Sequence, residues 1–223
     1  MTFVIIAVLA LASLLQAEDN EAVVRLDQAA GVLSDIMATP DKGIPQNLLK
    51  KAHCIVIVPD LKTMAFVFGG KYGKGYMSCR NKAGAHWSGP STIRIEGGSV
   101  GLQVGGSSTD LIMLVMNEQG ANKLLSSKFT LGAEGSVAAG PVGRTATAQT
   151  DAQMHADILS WSRSQGLFGG LALEGATLRA DLDDNAKLYG KKLNNRDIVT
   201  QRVRAPSAAG KLMTLLNRYG GST

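Results

Sequence analysis

Apolar residues recur along positions 19–37 at Val23, Leu26, Ala30, Leu33 and Met37, spacings of three and four that share one helical face. Asp19 and Glu21 fall in the first turn, where acidic side chains suit the helix dipole. Thr39-Pro40-Asp41-Lys42-Gly43 interrupts the pattern, and Pro45 opens a short second helix through Lys51, with Leu48 and Leu49 turned inward. From Cys54 the character changes to β. Cys54 to Val58 reads as a buried strand ended by Pro59. Met64 to Phe68 and Tyr76 to Cys79 read as two strands of a hairpin, joined by a connection rich in glycine that carries Lys71 and Lys74.

Short strands are expected at Trp87 to Pro90, Ile93 to Ile95 and Ser99 to Val104, with a strong central strand at Asp110 to Met116. Glu118 to Ser126 reads as a short helix carrying Ala121, Leu124 and Leu125. Small-residue strands follow at 129–139 and 144–150 around Gly140-Pro141-Val142-Gly143, and Ile158 to Ser162 and Leu167 to Leu173 form the last strand pair. Ala180 to Tyr189 returns to helix, with Asp181 as its cap and Gly190 as its stop. Ala208, Leu212, Leu215, Leu216 and Tyr219 define one face of a C-terminal helix. Helices at both ends of an antiparallel, glycine-rich middle predict an α+β fold in a single domain. Its sheet is expected to be curled or barrel-like, because closure protects sheet edges.

The 223 residues suffice for one sizeable core, and 45% hydrophobic against 18% charged residues is a globular balance. The net charge of +5 is unevenly spread. Lys50 to Lys82 carries Lys50, Lys51, Lys62, Lys71, Lys74, Arg80 and Lys82 against Asp60 alone. Lys191 to Thr223 has the same net charge, and the rest of the chain is acidic. Two basic segments on an acidic body suggest an anionic partner for one face, or simply two solvated surfaces.

Residues 1–17 contain no charged side chain, and Phe3 to Leu15 is almost wholly apolar. That length suits a signal-peptide core better than a membrane span, and Leu15-Gln16-Ala17 offers a cleavage site. The expectation is an exported protein, with residues 1–17 as leader and 18–223 as the domain; an uncleaved anchor is the alternative. Export permits a disulfide between Cys54 and Cys79, both in expected strands. Two buried thiols are the other reading.

Motifs for chemistry fail on spacing. The glycines and lysines at 69–75 lack the P-loop order, no Ser or Thr follows Lys74, and strand-like sequence rather than a helix follows Gly73-Lys74-Gly75. His53, His86 and His155 are isolated, so no metal site is expected. Asp151, His155 and Asp157 alternate onto one strand face but no nucleophile accompanies them. Asp181, Asp183 and Asp184 lack the glycine turn and terminal Glu of a calcium loop. No catalytic residue and no cofactor are expected. The basic segments carry few aromatics for base stacking, so nucleic acid is not an expected partner. A membrane surface needs only clustered Lys/Arg and an apolar element.

The stretches KAHCIVIVP (51–59), FVFGGKYGKGYMSCR (66–80), GGSVGLQVGG (97–106), DLIMLVMNEQG (110–120), LLSSKFTLGAEGSVAAGPVGR (124–144), SWSRSQGLFGGLALEGA (160–176) and NAKLYG (185–190) together resemble the SYLF-domain family. The resemblance implies non-catalytic binding of anionic phospholipids, such as phosphatidic acid or phosphoinositides. With an export leader it implies a bacterial envelope protein, periplasmic or secreted and peripherally membrane-associated. Lys50, Lys51, Lys62, Lys71, Lys74, Arg80 and Lys82 are then the candidate phosphate contacts. Eukaryotic relatives add modules and touch actin, a partner not expected of an exported chain. The alternative is an envelope scaffold that makes protein contacts. Some family members bind membrane through an amphipathic helix ahead of the domain; the helix expected at 19–37 is acidic here, with Arg25 its one basic residue.

Overall fold

The computed structural model describes residues 21–39, 43–80, 86–126, 128–141, 156–164, 167–169, 173–201 and 203–221. The leader expected at 1–17 and the strand expected at 144–150 lie outside them. Helix α1 spans 21–38 and α2 Gln46–Lys51. Among the described residues seven strands make one sheet: β1 (Cys54–Cys79), β2 (Ser91–Val115), β3 (Lys128–Thr130), β4 (Val137–Ala139), β5 (Ile158–Ser164), β6 (Leu167–Gly169) and β7 (Thr177–Ala180). Helix α3 (Glu118–Leu124) follows β2. Helices α4 (Leu182–Tyr189), α5 (Asn195–Thr200) and α6 (Gly210–Gly220) follow β7. The fold is α+β, a curled half-barrel flanked by helices at both ends of the chain.

The two long strands correct the expected run of short ones. β1 continues through Pro59, and β2 absorbs the three pieces expected between Ile93 and Met116. Pro59 is tolerated because the register slips between Val58 and Leu61, a bulge at which a missing N–H costs no ladder bond. Asp60 there takes a left-handed φ of 58°, and its amide donates to the Asp110 carboxylate at 3.2 Å. The expected hairpin loop at 69–75 is not a loop. Those residues are strand, paired in order from Gly69↔Ser99 to Gly75↔Ile93.

What the glycines permit is closeness. β1 folds back so that its two ends run side by side: the Arg80 amide donates to the His53 carbonyl at 2.8 Å, and Cys54 and Cys79 are joined by a disulfide with Cα atoms 3.9 Å apart. A Cβ on Gly75 would meet the Ile57 carbonyl oxygen and come within 2.8 Å of Val58 Cα; one on Gly73 would lie 2.8 Å from the Leu61 side chain. Only hydrogen fits at these two positions. β2 lines β1 throughout, and its free edge splits, with Ile93 to Glu96 pairing β7 and Asp110 to Val115 pairing β5. Between the outer strands β3 and β4, Leu131 and Gly135 form an isolated bridge.

Alternation along β1 feeds two cores. Ile55 and Ile57 face a cluster built with α1, α2 and α6. Cys54, Val56, Val58 and Leu61 face a second cluster, around which the sheet curls, with Phe129, Leu131 and Leu178. Both sheet faces are buried here, which is why Cys54 to Val58 reads as an unbroken apolar run. The buried face of α1 is Ala22, Leu26, Ala29, Ala30, Val32, Leu33 and Ile36. The expected stripe is rotated at its ends, where Ala22 and Ile36 are buried in place of Val23 and Met37, and Val23 is 43% exposed. α4 and α5 hang from a buried polar knot. Thr92 N–H and Asn195 Nδ2 both bond within it, the former to Asn185 Oδ1 at 2.8 Å and the latter to Thr92 O at 3.0 Å. Asn185 Nδ2 completes it by donating to Asn195 Oδ1 at 2.6 Å. Asp181 caps α4 as expected, accepting from the Asp184 amide.

Gly75→Ala is expected to lower unfolding free energy by about 2 kcal/mol or more, because backbone must shift. Gly98→Ala, which meets nothing within 4 Å, is expected to be near neutral; urea denaturation compares the two. Replacing Cys54 and Cys79 together by Ser, which frees a loop of 25 residues, is expected to cost about 3 kcal/mol in the same measurement.

Candidate functional site

Among the described residues, the candidate lysines and Arg80 do not form one patch. Lys50 and Lys51 are exposed on the last turn of α2, beside the joined ends of β1. Lys62 lies far along β1, roughly 25 Å from Cys54 at the usual strand rise. It is exposed and 3.8 Å from the Asp60 carboxylate. Lys71 is half-buried, and that burial lowers its pKa from the ordinary lysine value. Lys82 lies outside the described residues.

Lys74 is committed inward. Its Nζ lies 2.9 Å from Asp181 and 3.0 Å from Asp184, at the start of α4. Arg25 of α1 reaches the same Asp184 oxygen at 2.9 Å. Burial alone would raise the Asp184 pKa, but the hydrogen bond and charge of Lys74, then those of Arg25, outweigh it and hold it below the ordinary carboxylate value. Nearby, the Tyr76 hydroxyl donates to the Ala22 carbonyl and is raised by its burial. These contacts tie α1, β1 and α4 together. Arg163 makes a second tie, at 3.1 Å to both Asp35 of α1 and Asp110 of β2.

Arg80 joins the two basic segments. Its Nε donates to Ala52 O at 2.9 Å and its Nη2 to Leu49 O at 3.1 Å, at the end of α2. The same nitrogen donates to Gly220 O at the end of α6. Its guanidinium stacks 4.3 Å from the Trp87 ring, whose Nε1 donates to Leu216 O at 3.1 Å. A cation suits the negative ends of two helices. The last turns of α2 and α6, with exposed Lys50, Lys51 and Arg218, thereby come to one end of the molecule. A cleft of about 450 Å3 opens there, its walls including Lys51, His53, Arg80, Asn122 and Thr200.

Of the groups drawn as possible chemistry, Asp157 holds a turn. It accepts from Asn117 Nδ2 at 2.6 Å and from the Ser136 amide at 3.0 Å. Asp151 and His155 lie outside the described residues. His53 and His86 are exposed at separate places, and no cluster of metal-ligating side chains occurs among the described residues. Arg80 carried no motif that marks it as a junction, and Arg218 was legible only as one charge in a basic tail.

The family profile of Ysc84, described as Las17-binding protein actin regulator, matches residues 96–219. Protein YSC84 of Saccharomyces cerevisiae is 35% identical over 179 residues, covering 79% of this chain and 38% of that protein. LAS seventeen-binding protein 3 of the same yeast is 37% identical over 180 residues, covering 79% and 39%. SH3 domain-containing YSC84-like protein 1 of Mus musculus is 30% identical over 181 residues, covering 81% and 53%. The chain thus spans about two fifths of the yeast proteins and about half of the mouse one. These relatives carry binding or regulatory names.

Lys74→Met is expected to destabilise the protein at pH 7. The Asp184 contribution is present above the unfolded carboxylate pKa of about 4 and is lost as pH falls through the lower folded value. The stability gap between wild type and variant is therefore expected to close below about pH 4, as read from urea denaturation across pH.

Proposed function

The chain belongs to the Ysc84 family, in which the SYLF-domain resemblance is realised, and on that premise we propose that it is a non-catalytic module that docks on anionic phospholipid membranes. The observation that carries this reading is the junction at Arg80, which gathers Lys50, Lys51 and Arg218 at one end. Each basic side chain held near an anionic surface contributes on the order of 1 kcal/mol, so three or four give a weak, salt-sensitive attachment. Phosphatidic acid or phosphoinositide-like headgroups supply the charge. Of the basic residues first considered, Lys50 and Lys51 are the principal contacts in this proposal. Arg80 shapes the end, Lys74 serves the fold, and Lys62 and Lys71 sit away from it.

Export to a bacterial envelope, periplasmic or secreted, belongs to the same proposal. The apolar run at residues 3–15 supports it, and so does the disulfide, which persists best in an oxidising compartment. A second reading, a scaffold that binds protein, draws support from the relatives' names, which describe Las17-binding proteins. For this chain the protein partner would be an envelope protein.

Flotation with vesicles of phosphatidic acid in phosphatidylcholine tests the proposal. Binding is expected in low salt and loss of binding near about 0.5 M salt. Lys50→Glu with Lys51→Glu is expected to weaken it by about tenfold or more, and Lys62→Glu to leave it nearly unchanged. Equal binding by wild type and the Lys50/Lys51 variant would remove that end from the mechanism. No flotation, with a protein retained on the immobilised chain, would favour the scaffold.

A further inference from the structure

We propose that the Cys54–Cys79 disulfide is a reducible clasp, a thiol–disulfide exchange site reached by a dithiol through the cleft above it. The bond joins the first and last residues of one strand, so it is the covalent tie across the fold-back of β1. Both cysteines line the 450 Å3 cleft, so a dithiol approaches the bond from this side of the sheet. The walls are chemically suited. Lys51 and Arg80 favour thiolates over thiols, with Glu118 the opposing acid. The clasp is also wired to the basic end. Arg80 follows Cys79 directly and holds the carbonyls that end α2 and α6.

The exchange balances as a two-electron reduction. One thiolate of the dithiol attacks Sγ of Cys79, the less buried of the pair at 3% against 0% exposure. A mixed disulfide forms, the Cys54–Cys79 bond breaks, and Cys54 leaves as a thiolate that takes a proton from solvent. The second thiol of the dithiol attacks the mixed disulfide, releases Cys79 as a thiolate, and leaves the dithiol oxidised to its own disulfide. The freed ends of β1 then separate, and Arg80 shifts on Trp87.

The folded full-length protein is treated with dithiothreitol, quenched with iodoacetamide and weighed by mass spectrometry. Labelling of both cysteines without denaturant is expected, at a rate that rises linearly with dithiothreitol. Asn122→Trp, a change at an exposed position of the cleft wall, is expected to slow labelling by about tenfold. Thr200→Trp, on the facing wall, serves as a second block. A rate that saturates at the unfolding rate overturns the proposal, as does an unchanged rate in both Trp variants. In a Trp161→Phe background, reduction is expected to shift Trp87 emission; unshifted emission overturns the coupling to Arg80.

Discussion

The fold depends on the return of β1 upon itself. Twenty-six residues of one strand leave and come back, and the two ends lie close enough for a disulfide and for the Arg80 to His53 backbone bond. The return is possible because Gly73 and Gly75 present no Cβ to Val58, Leu61 and the Ile57 carbonyl. Everything else is placed by it. β2 follows β1 around the curve, so its outer edge faces two directions and recruits β5 at one end and β7 at the other. A sheet with a larger side chain at those positions would open and lose the second core.

The same geometry sorts the charges. Polar side chains that look alike in sequence have separate tasks once the strand curls. Lys74 falls beneath the start of α4 and neutralises two acids; Arg80 falls between two helix ends and satisfies their carbonyls. Removing either leaves buried partners without a counterpart, a larger penalty than losing a surface charge. The exposed lysines of α2 carry no such duty. The division between cations that hold the fold and cations left for a partner is a consequence of burial.

The Asn185 knot illustrates how a family stretch can be structural. Asn185 is fully buried and links β2, α4 and α5, so the NAKLYG segment secures helices against the sheet. Gly190, at φ 68°, ends α4 in the left-handed conformation that glycine adopts without strain. Asp157 does the like for the turn into β5.

Local chemistry was enough for much of the architecture. Periodicity located α1, α2, α3, α4 and α6, capping identified Asp181 and Gly190, and the β-branched run at 54–58 announced a buried strand. Those features depend on neighbours within a few residues, which the sequence displays. It did not reveal α5 or β7, whose short stretches gain their shape from packing against β2. Nor did it distinguish a hairpin loop from a strand at 69–75, because glycine suits both φ > 0 and close approach, and only the partner strand shows which is needed. Sequence alone grouped seven basic residues by proximity along the chain. Tertiary structure divided them, since a strand that curls carries neighbours in sequence to opposite ends while bringing Lys50, Lys51 and Arg218 together through one guanidinium.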